Sequence, residues 1–226
     1  MKRQKRDIDF YQSGLYREIF YRAGISSWAT KKMHLKLERF ASEKRFSTTL
    51  EIGGGEGFHF DFVKENYDLY ILSDIEKRPL SKFAKERQEV GSLEQITMDA
   101  HELQFATSSI DRVIMMCVLH HLKDPELALR EARRVLKDGG LLSIYLPHDP
   151  SALYRIVRKI LLWKTTKKLG IDYALINARE HKNHCYGIKI FLSREFLKDE
   201  IKVKRFPLNL PHSLSFFSCY QINIKK

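Results

Sequence analysis

One glycine-rich segment of the sequence has a composition suited to binding a ligand. Residues 50–58 read LEIGGGEGF, and an apolar run comes directly before the glycines. Glycine allows a backbone to approach a ligand closely and to adopt positive φ angles, although it loses more conformational entropy on folding than any other residue. Such a run at the end of an apolar stretch therefore indicates a ligand-binding loop or a tight turn.

Two common phosphate-binding patterns do not fit this segment. The dinucleotide pattern G-x-G-x-x-G requires a third glycine where the chain has Phe58, counted from Gly53, or Phe60, counted from Gly55. The loop G-x-x-x-x-G-K-[ST] also fails, because no Lys-Ser or Lys-Thr pair follows the glycines. The chain instead has an acid followed by alternating glycines, namely Glu51, Gly53, Gly55 and Gly57.

Histidines are the candidates for acid–base chemistry. His120 and His121 end one apolar stretch, whereas His148, His181 and His184 follow the next one. Histidine can accept a proton from a hydroxyl group because its ordinary pKa lies near neutrality. We expect His148, His181 and His184 to include the catalytic base, with packed or solvent-exposed loop histidines as the alternative, and a structural or ligand-adjacent role for His120 and His121.

No metal site is expected from the sequence. His181 and His184, together with Asp149, are the residues that would surround a cation. An H-x-x-H pair in a basic loop is weak support for such a site, because metal motifs require a specific helical or loop context.

Apolar strands alternate with helices along the chain, and these elements must position the polar residues. The helix predicted from DPELALREARRVLKDGG is the best marked, since Asp124 can cap it, Pro125 can begin it and Gly139 can end it. The alternation predicts an α/β fold, a Rossmann-like doubly wound and mostly parallel seven-stranded sheet with helices on both faces. Ligands of such sheets bind at the carboxyl ends of the strands. The predicted strands are STTLEIG, DLYILSDI, LEQITMD, DRVIMMCVL, LLSIYLP, IKVKRFPL and SFFSCYQINIK.

The regular alternation is absent at the start of the chain and after the fifth strand. Residues 1–45 are predicted as an N-terminal helical cap, with Tyr11 or Tyr21 as contacts to the ligand, and residues 46–226 as the main domain. An insertion at about 148–200 is predicted to cover the carboxyl edge of the sheet as a substrate-binding lid. Its basic and apolar segment 153–168 suits either a lid helix packed on the core or a helix resting on an anionic membrane.

Composition and charge limit the classes of protein. The 226 residues are 43% hydrophobic, enough for a core, and the net charge of +12 is concentrated in the first six residues and in 155–168. This charge suits nucleic acid, anionic lipid, a phosphorylated substrate or solubility alone. The three cysteines are widely spaced, and neither a signal sequence nor an apolar run of membrane-spanning length is expected. A cytoplasmic protein, peripherally bound to a membrane or not, is the expectation.

Over roughly residues 47–147 the sequence resembles the class I S-adenosylmethionine-dependent methyltransferases, in particular the small-molecule branch. The matching segments, in order, are LEIGGGEG, LSDIE, MDAHELQF and MMCVLHHLKDPELALREARRVLKDGGLLSI. The resemblance implies a methyltransferase with S-adenosyl-L-methionine as its cofactor. The cofactor-binding residues that it implies are Glu51, Gly53, Gly55, Gly57, Asp74, Asp99, Ala100, Met116 and Cys117.

The residue types agree with this cofactor. S-adenosylmethionine carries no phosphate, and Glu51 is placed to balance its ammonium and sulfonium charges. Asp74 follows the glycines at about the spacing expected of an acid that accepts the ribose hydroxyls. Asp99 and Ala100 match the adenine-binding segment of the family, and Cys117 with its neighbours would flank the adenine or belong to the core.

The acceptor of the methyl group is less clearly indicated. The segment EHKNHCYG and the Phe-rich C-terminal strands resemble methyltransferases of surface-polysaccharide biosynthesis, which implies a small-molecule or glycan acceptor such as a nucleotide sugar or lipid-linked saccharide. Cys117 lacks the preceding proline of cytosine-methylating enzymes, and no Asn-Pro-Pro-aromatic motif follows the fourth strand. The alternatives are an RNA or protein methyltransferase, because of the basic charge, and a catalytically silent domain that binds the cofactor or a partner.

Overall fold

A single seven-stranded sheet organises the chain. The computed structural model describes residues 14–21, 25–41, 44–63, 67–89 and 92–226; the predicted contact Tyr11 lies outside them. The strand order is β3-β2-β1-β4-β5-β7-β6, with β1 to β5 parallel and β7 antiparallel to both of its neighbours. The strands are β1 (Phe46–Ile52), β2 (Tyr67–Asp74), β3 (Leu93–Thr97), β4 (Ile110–Met116), β5 (Leu136–Pro147), β6 (Glu200–Phe206) and β7 (Phe217–Asn223).

Helices cover both faces of this sheet, as the alternating sequence pattern predicts. Val113 and Met115 of β4 belong to the core formed with α4 and α7, whereas Ile114 and Met116 belong to the core formed with α2 and α3. A strand buried on both faces requires a continuous apolar run, and β4 has one. The helices are α1 (Leu15–Phe20), α2 (Ile25–Ala41), α3 (Lys82–Glu89), α4 (Pro125–Val135), α5 (Ala152–Leu169), α6 (Tyr173–Glu180) and α7 (Cys185–Glu195), with short 3-10 turns at Phe60–Phe62 and His212–Leu214.

The predicted cap of α4 is confirmed and its predicted end is wrong. The Asp124 side chain accepts a hydrogen bond from the Leu127 N–H at 2.9 Å, and Pro125 occupies the first turn. The helix ends before Leu136, which is fully buried and pairs with Ile110 of β4. Because this apolar residue is drawn into the sheet, Gly139 lies within the β5 segment at φ 72° instead of ending the helix.

A buried ion pair attaches α2 to the sheet. Both carboxylate oxygens of Glu38 accept hydrogen bonds from the guanidinium of Arg112, at 2.7 and 3.0 Å. The Arg112 Nε donates to Ser143 Oγ at 3.1 Å, and that hydroxyl donates to Gln221 Oε1 at 2.7 Å. The Gln221 amide then donates to the carbonyl oxygen of Leu37 at 3.1 Å. One polar network therefore connects α2 to β4, β5 and β7.

The same carboxylate continues the network toward the carboxyl edge of the sheet. His59 Nε2 lies 3.1 Å from Glu38 Oε1, the two Nδ1 atoms of His59 and His34 lie 2.9 Å apart, and His34 Nε2 lies 3.0 Å from the Tyr21 hydroxyl. Burial alone would raise the pKa of Glu38, but Arg112 and the His59 hydrogen bond hold that pKa well below its ordinary value. Burial lowers the pKa of His34. Since the carboxylate only accepts, His59 Nε2 is the donor to Glu38.

The predicted insertion between β5 and β6 contains the helices α5, α6 and α7. Ser151 and Asp172 cap α5 and α6, since their side chains accept the N–H groups of Tyr154 and Leu175. None of the helices in the described ranges combines the length and the apolar character that spanning a bilayer requires.

Replacing Glu38 by Gln is expected to lower the free energy of unfolding by about 3–5 kcal/mol, because the buried Arg112 guanidinium would lose its counter-charge. Urea denaturation of the purified protein measures the change. The matched control is Glu86→Gln, which removes an exposed pair with Lys82 at 3.9 Å and should cost less than about 1 kcal/mol. Equal losses in the two variants would contradict a structural role for the buried pair.

Candidate functional site

A cavity of about 670 Å³ lies at the carboxyl ends of the parallel strands. Its wall comes from the N-terminal helices α1 and α2, from the loops after β1, β2, β3 and β4, and from α5 and α6 of the insertion. The parallel sheet thus brings the predicted cofactor-binding residues to one edge, as α/β sheets of this type do, and all of them except Gly57, which packs toward Ala84 and Leu72, line the cavity. Much of the remaining wall is aromatic, with Tyr16, Phe20, Tyr21, Trp28, Phe58, Tyr145, Tyr154, Tyr173, Phe206, Phe216 and Phe217.

At two positions of the loop after β1, the space beside the backbone is too small for any side chain. Gly53 has φ 69°, and a Cβ atom there would lie 2.5 Å from Val118 Cγ2. A Cβ atom on Gly54 would lie 2.1 Å from Leu72 Cδ1. The absence of side chains lets the loop pack against β2 and the loop after β4 while its backbone faces the cavity.

Two acidic residues flank this glycine loop. Glu51 is 1% exposed and accepts a hydrogen bond from the Tyr70 hydroxyl at 2.7 Å. Burial raises the pKa of Glu51, and no lysine or arginine pairs with it among the described residues. Asp74 accepts the Gly55 N–H at 3.0 Å, and its carboxylate lies 4.0 Å from Arg78 Nε. A buried carboxylate beside a bare loop suits a ligand that brings a positive charge.

The loop after β3 places Asp99 and Ala100 in the cavity wall, together with a residue that the sequence analysis missed. Asp99 Oδ1 accepts hydrogen bonds from the His101 backbone N–H at 2.9 Å and from its ring Nδ1 at 2.6 Å. The first of these bonds contributes most to lowering the pKa of Asp99. His101 Nε2 accepts the Asp124 N–H at 3.1 Å, so this ring joins the loop to the start of α4.

Met116 and Cys117 also line the cavity. Cys117 has φ 57°, in the left-handed region that side-chain-bearing residues seldom adopt, and its N–H donates to the Tyr145 carbonyl at 3.3 Å. Burial raises the pKa of the Cys117 thiol to about 12. A thiol with that pKa is protonated near neutrality, which agrees with the predicted packing role.

Three histidines meet in the cavity, and only His181 among them belongs to the predicted catalytic set. One nitrogen each of His120, His121 and His181 lies within 4.8 Å of the others. His181 Nδ1 lies 2.6 Å from Asp149 Oδ2, and the Asn177 amide donates to the same oxygen at 2.6 Å. Burial opposes ionisation of Asp149, but these two hydrogen bonds hold its pKa below the ordinary value. His181 is therefore oriented by an ionised carboxylate.

The other two rings of this cluster are held neutral by their surroundings. His121 Nδ1 donates to the Glu180 carbonyl at 2.9 Å; burial, assisted by the adjacent His181, lowers the pKa of His121 to about 4. Burial also lowers the pKa of His120. The backbone N–H groups of Lys182 and Asn183 donate to the His120 carbonyl at 2.9 and 3.1 Å, which fixes the insertion to the turn after β4.

The remaining predicted catalytic residues lie outside the cavity wall. His148 is fully buried, its Nδ1 donates to the Ser215 carbonyl at 3.1 Å and its Nε2 accepts the Ser218 hydroxyl at 2.7 Å. His184 is exposed and caps α7, since its Nδ1 accepts the Gly187 N–H at 2.9 Å. Both rings hold local structure together. Among the described residues, His184 does not belong to the cluster of possible metal ligands that contains His181, so the cation site considered around these two histidines is not assembled.

The N-terminal helices close over the glycine loop. Arg17 of α1 forms an ion pair with Glu56, and the Tyr21 ring stacks on Phe58 with centroids 3.9 Å apart. Tyr21, one of the two predicted contacts of the cap, lines the cavity. These charged and aromatic contacts, together with those of His34 and Glu38 to His59, hold the described part of the cap to the loop.

Comparison with known proteins shows that the central part of the chain is similar to methyltransferases. A family model described as a methyltransferase domain matches residues 50–144. The 2-methyl-6-phytyl-1,4-hydroquinone methyltransferase 1 of Oryza sativa subsp. japonica is 30% identical over 104 residues, covering 45% of this chain and 31% of that relative. The ubiquinone/menaquinone biosynthesis C-methyltransferase UbiE of Klebsiella pneumoniae is 32% identical over 108 residues, covering 45% and 43%. The chain spans less than half the length of these curated relatives.

A solved structure with similar architecture covers nearly the whole chain. The N-methyltransferase NodS from Bradyrhizobium japonicum WM9, in complex with S-adenosyl-L-homocysteine, has a TM-score of 0.61 at 18% identity, covering 96% of this chain and 100% of that one. Similarity at this level of identity concerns the fold. The predicted doubly wound, mostly parallel seven-stranded sheet is confirmed.

Replacing Asp74 by Ala is expected to weaken the binding of S-adenosylhomocysteine by about 1–3 kcal/mol, because the ribose hydroxyls and the Gly55 N–H lose a charged acceptor. Isothermal titration calorimetry measures the affinity. The control is Asp68→Ala, an exposed residue at the opposite end of β2, which should bind like the unaltered protein. An unchanged affinity for Asp74→Ala would place the ribose elsewhere.

Proposed function

We propose, on the premise that residues 50–144 form a class I S-adenosylmethionine-dependent methyltransferase domain, that the chain transfers a methyl group to a small-molecule acceptor bound in the same cavity as the cofactor. When bound, S-adenosylmethionine supplies an electrophilic methyl group carried on a sulfonium. The observation that supports the proposal is that one cavity is lined by a bare glycine loop, its two flanking acids and the ring of His181, which Asp149 holds from behind the wall. Its aromatic wall suits a small acceptor better than a polymer.

The residues around the glycine loop fit this cofactor. A Cβ atom at Gly53 or Gly54 would collide with the loop's surroundings, so the bare backbone is needed for the loop to keep its course beside the ligand. Glu51 would neutralise the positive charge of the methionine part, and Asp74 would accept the ribose hydroxyls. Asp99, Ala100, Met116 and Cys117 would surround the adenine.

His181 is the residue that we assign as general base. Asp149 accepts a hydrogen bond from the Nδ1–H of His181, which orients the ring so that its Nε2 can take a proton. The same carboxylate would stabilise the imidazolium that forms, since the pair lies in a partly buried site where charge is poorly hydrated. The side chains are 10% and 12% exposed, so the pair stays accessible to an acceptor in the cavity.

In this proposal the acceptor carries a hydroxyl group. Two classes of compound are compatible with the side chains that line the cavity. The relatives are named for hydroquinone and for ubiquinone/menaquinone biosynthesis, which supports an apolar ring compound. The resemblance of EHKNHCYG to polysaccharide-related enzymes supports a nucleotide sugar or a lipid-linked saccharide. A polymer acceptor, RNA or protein, rests only on the net charge of +12.

We also propose that α5 contacts an anionic membrane surface. Ile156, Ile160 and Trp163 are 57%, 69% and 56% exposed and lie on one face of the helix at i, i+4 and i+7. Exposed lysines, among them Lys159 and Lys167, lie beside this face. Apolar side chains flanked by lysines are the pattern of helices that rest in the headgroup region of anionic lipid. Membrane contact would give the cavity access to a lipid-linked acceptor.

The decisive test of the proposed activity is methyl transfer by the purified chain. We expect S-adenosylhomocysteine to bind, and label from methyl-labelled S-adenosylmethionine to appear in one member of a panel of hydroquinones, nucleotide sugars and lipid-linked saccharides. His181→Gln should lower turnover by about 10²–10⁴-fold, the usual contribution of a general base. Asp149→Asn should lower it as well, and both variants should bind S-adenosylhomocysteine normally.

The control for the base is His184→Gln, whose ring lies outside the cavity. A lack of heat with S-adenosylhomocysteine would contradict the enzyme and favour a silent domain, whereas transfer only to RNA or protein would contradict the small-molecule proposal. Full turnover by His181→Gln would remove it as the base. Dialysis against EDTA should leave the rate unchanged; a loss that zinc restores would mean that the histidine cluster holds a metal instead.

Membrane contact is tested by sedimentation with vesicles of phosphatidylglycerol. The chain should bind these vesicles and not neutral phosphatidylcholine vesicles, and the Trp163 fluorescence should shift to shorter wavelength. A variant with Gln at Ile156, Ile160 and Trp163 should lose binding, while Leu208→Gln, which changes an 87% exposed apolar residue elsewhere, should not. Equal binding by both variants would refute the contact.

A further inference from the structure

One cation of α5 lies inside the cavity, apart from the other basic residues of the helix. Arg158 lines the cavity together with its neighbours Tyr154, Val157, Leu161 and Leu162. The remaining basic residues of α5 are exposed and absent from the wall, namely Arg155, Lys159, Lys164, Lys167 and Lys168. The position of Arg158 is therefore not explained by a solvated basic face.

Three aromatic rings surround the Arg158 guanidinium. Its Cζ atom lies 4.7 Å from the ring centre of Tyr173, 5.2 Å from that of Tyr154 and 5.4 Å from that of Phe20. Cation–π contacts of this kind favour the charged form and restrict where the guanidinium can lie. The rings come from α1, α5 and α6, so the N-terminal cap and the insertion hold the group together.

The guanidinium has no carboxylate partner within 4.0 Å among the residues that the structure describes. Asp149 is the acid that acts on it electrostatically, but that carboxylate already accepts hydrogen bonds from His181 and Asn177. Arg158 is partly buried in the cavity wall, and this burial is the main cause that lowers its pKa. A charge withdrawn from water is normally paired, because leaving it unpaired costs free energy.

We propose that Arg158 binds an anionic group of the methyl acceptor, a carboxylate or a phosphate, and so sets the orientation of the acceptor in the cavity. The inference rests on the proposed function and specifies its substrate class. A guanidinium offers a planar pair of N–H donors that match either oxyanion in two parallel hydrogen bonds. The rings around Arg158 would pack against the apolar part of the same molecule.

Helix α6 relates this anion site to the proposed base. Tyr173, which contacts Arg158, begins the helix, and His181 follows its last residue, Glu180. A helix of eight residues is roughly 12 Å long. An acceptor with its anionic group at Arg158 and its hydroxyl at His181 would therefore have a length of this order, the size of an aromatic acid or a sugar phosphate.

The test measures the binding of simple probes to the protein saturated with S-adenosylhomocysteine. The probes are benzoate, phenyl phosphate and neutral benzyl alcohol, and the readout is isothermal titration calorimetry. We expect the unaltered protein to bind at least one anion and to bind it more tightly than benzyl alcohol. Arg158→Gln should weaken that anion by about tenfold or more, the loss expected for a charged hydrogen bond. Preference for benzoate or for phenyl phosphate identifies the oxyanion as carboxylate or phosphate.

Two further variants make the outcome specific to the guanidinium. Arg158→Lys keeps the charge without the planar donors and should retain part of the affinity, while Lys159→Gln, the exposed neighbour, should bind the anion normally. No preference for anions in the unaltered protein would overturn the inference, as would a parallel loss of S-adenosylhomocysteine affinity in Arg158→Gln. In the first case the proposed function still stands if S-adenosylhomocysteine binds; absence of that binding in the unaltered protein refutes the proposed function itself.

Discussion

The ion pair between Glu38 and Arg112 is the interaction on which the arrangement of the cavity depends. It joins α2 to the middle of the sheet, with both side chains almost completely buried. Taking two charges out of water is costly, so such a pair persists only where further hydrogen bonds satisfy its remaining atoms. Here Ser143 and His59 supply them, and the polar network holds α2 to the sheet in addition to the apolar packing of Leu37.

The network extends from Glu38 to the cavity and contains a buried histidine that makes stability depend on pH. Because Glu38 only accepts, His59 Nε2 donates to it, and the His59 and His34 rings carry the network on to the Tyr21 hydroxyl at the cavity wall. Burial keeps the pKa of His34 low, so the folded chain holds this ring neutral whereas the unfolded chain takes up a proton below about pH 6.5. The neutral His34 ring therefore contributes to the free energy of unfolding above that pH, and this contribution is lost as the pH falls below it.

The sequence was sufficient for the sheet, whose edge brings most of the predicted cofactor-binding residues into one cavity, and insufficient for the buried polar contacts. Strand β4 and the capped start of α4 are local patterns, and the glycine loop and Asp74 follow from matched motifs. Arg112 pairs with a residue 74 positions away, and no local pattern announces such a partner. His148 and His181 likewise look equivalent in sequence, although one is enclosed by β7 and its preceding loop, and the other faces the cavity.

The sequence of α5 suits either a lid helix packed on the core or a helix resting on a membrane, and the two faces of the helix are compatible with both. Val157, Arg158 and Leu161 line the cavity, as a lid requires, while Ile156 and Ile160 are exposed to solvent on another face. One helix can present a cavity-lining face and a solvent-exposed face, because residues three to four positions apart share a face and their sequence neighbours lie on another. The basic charge of the segment is divided in the same way, with Arg158 in the cavity wall and the lysines exposed to solvent. A single helix could then bind the acceptor on one side and the surface that supplies it on the other.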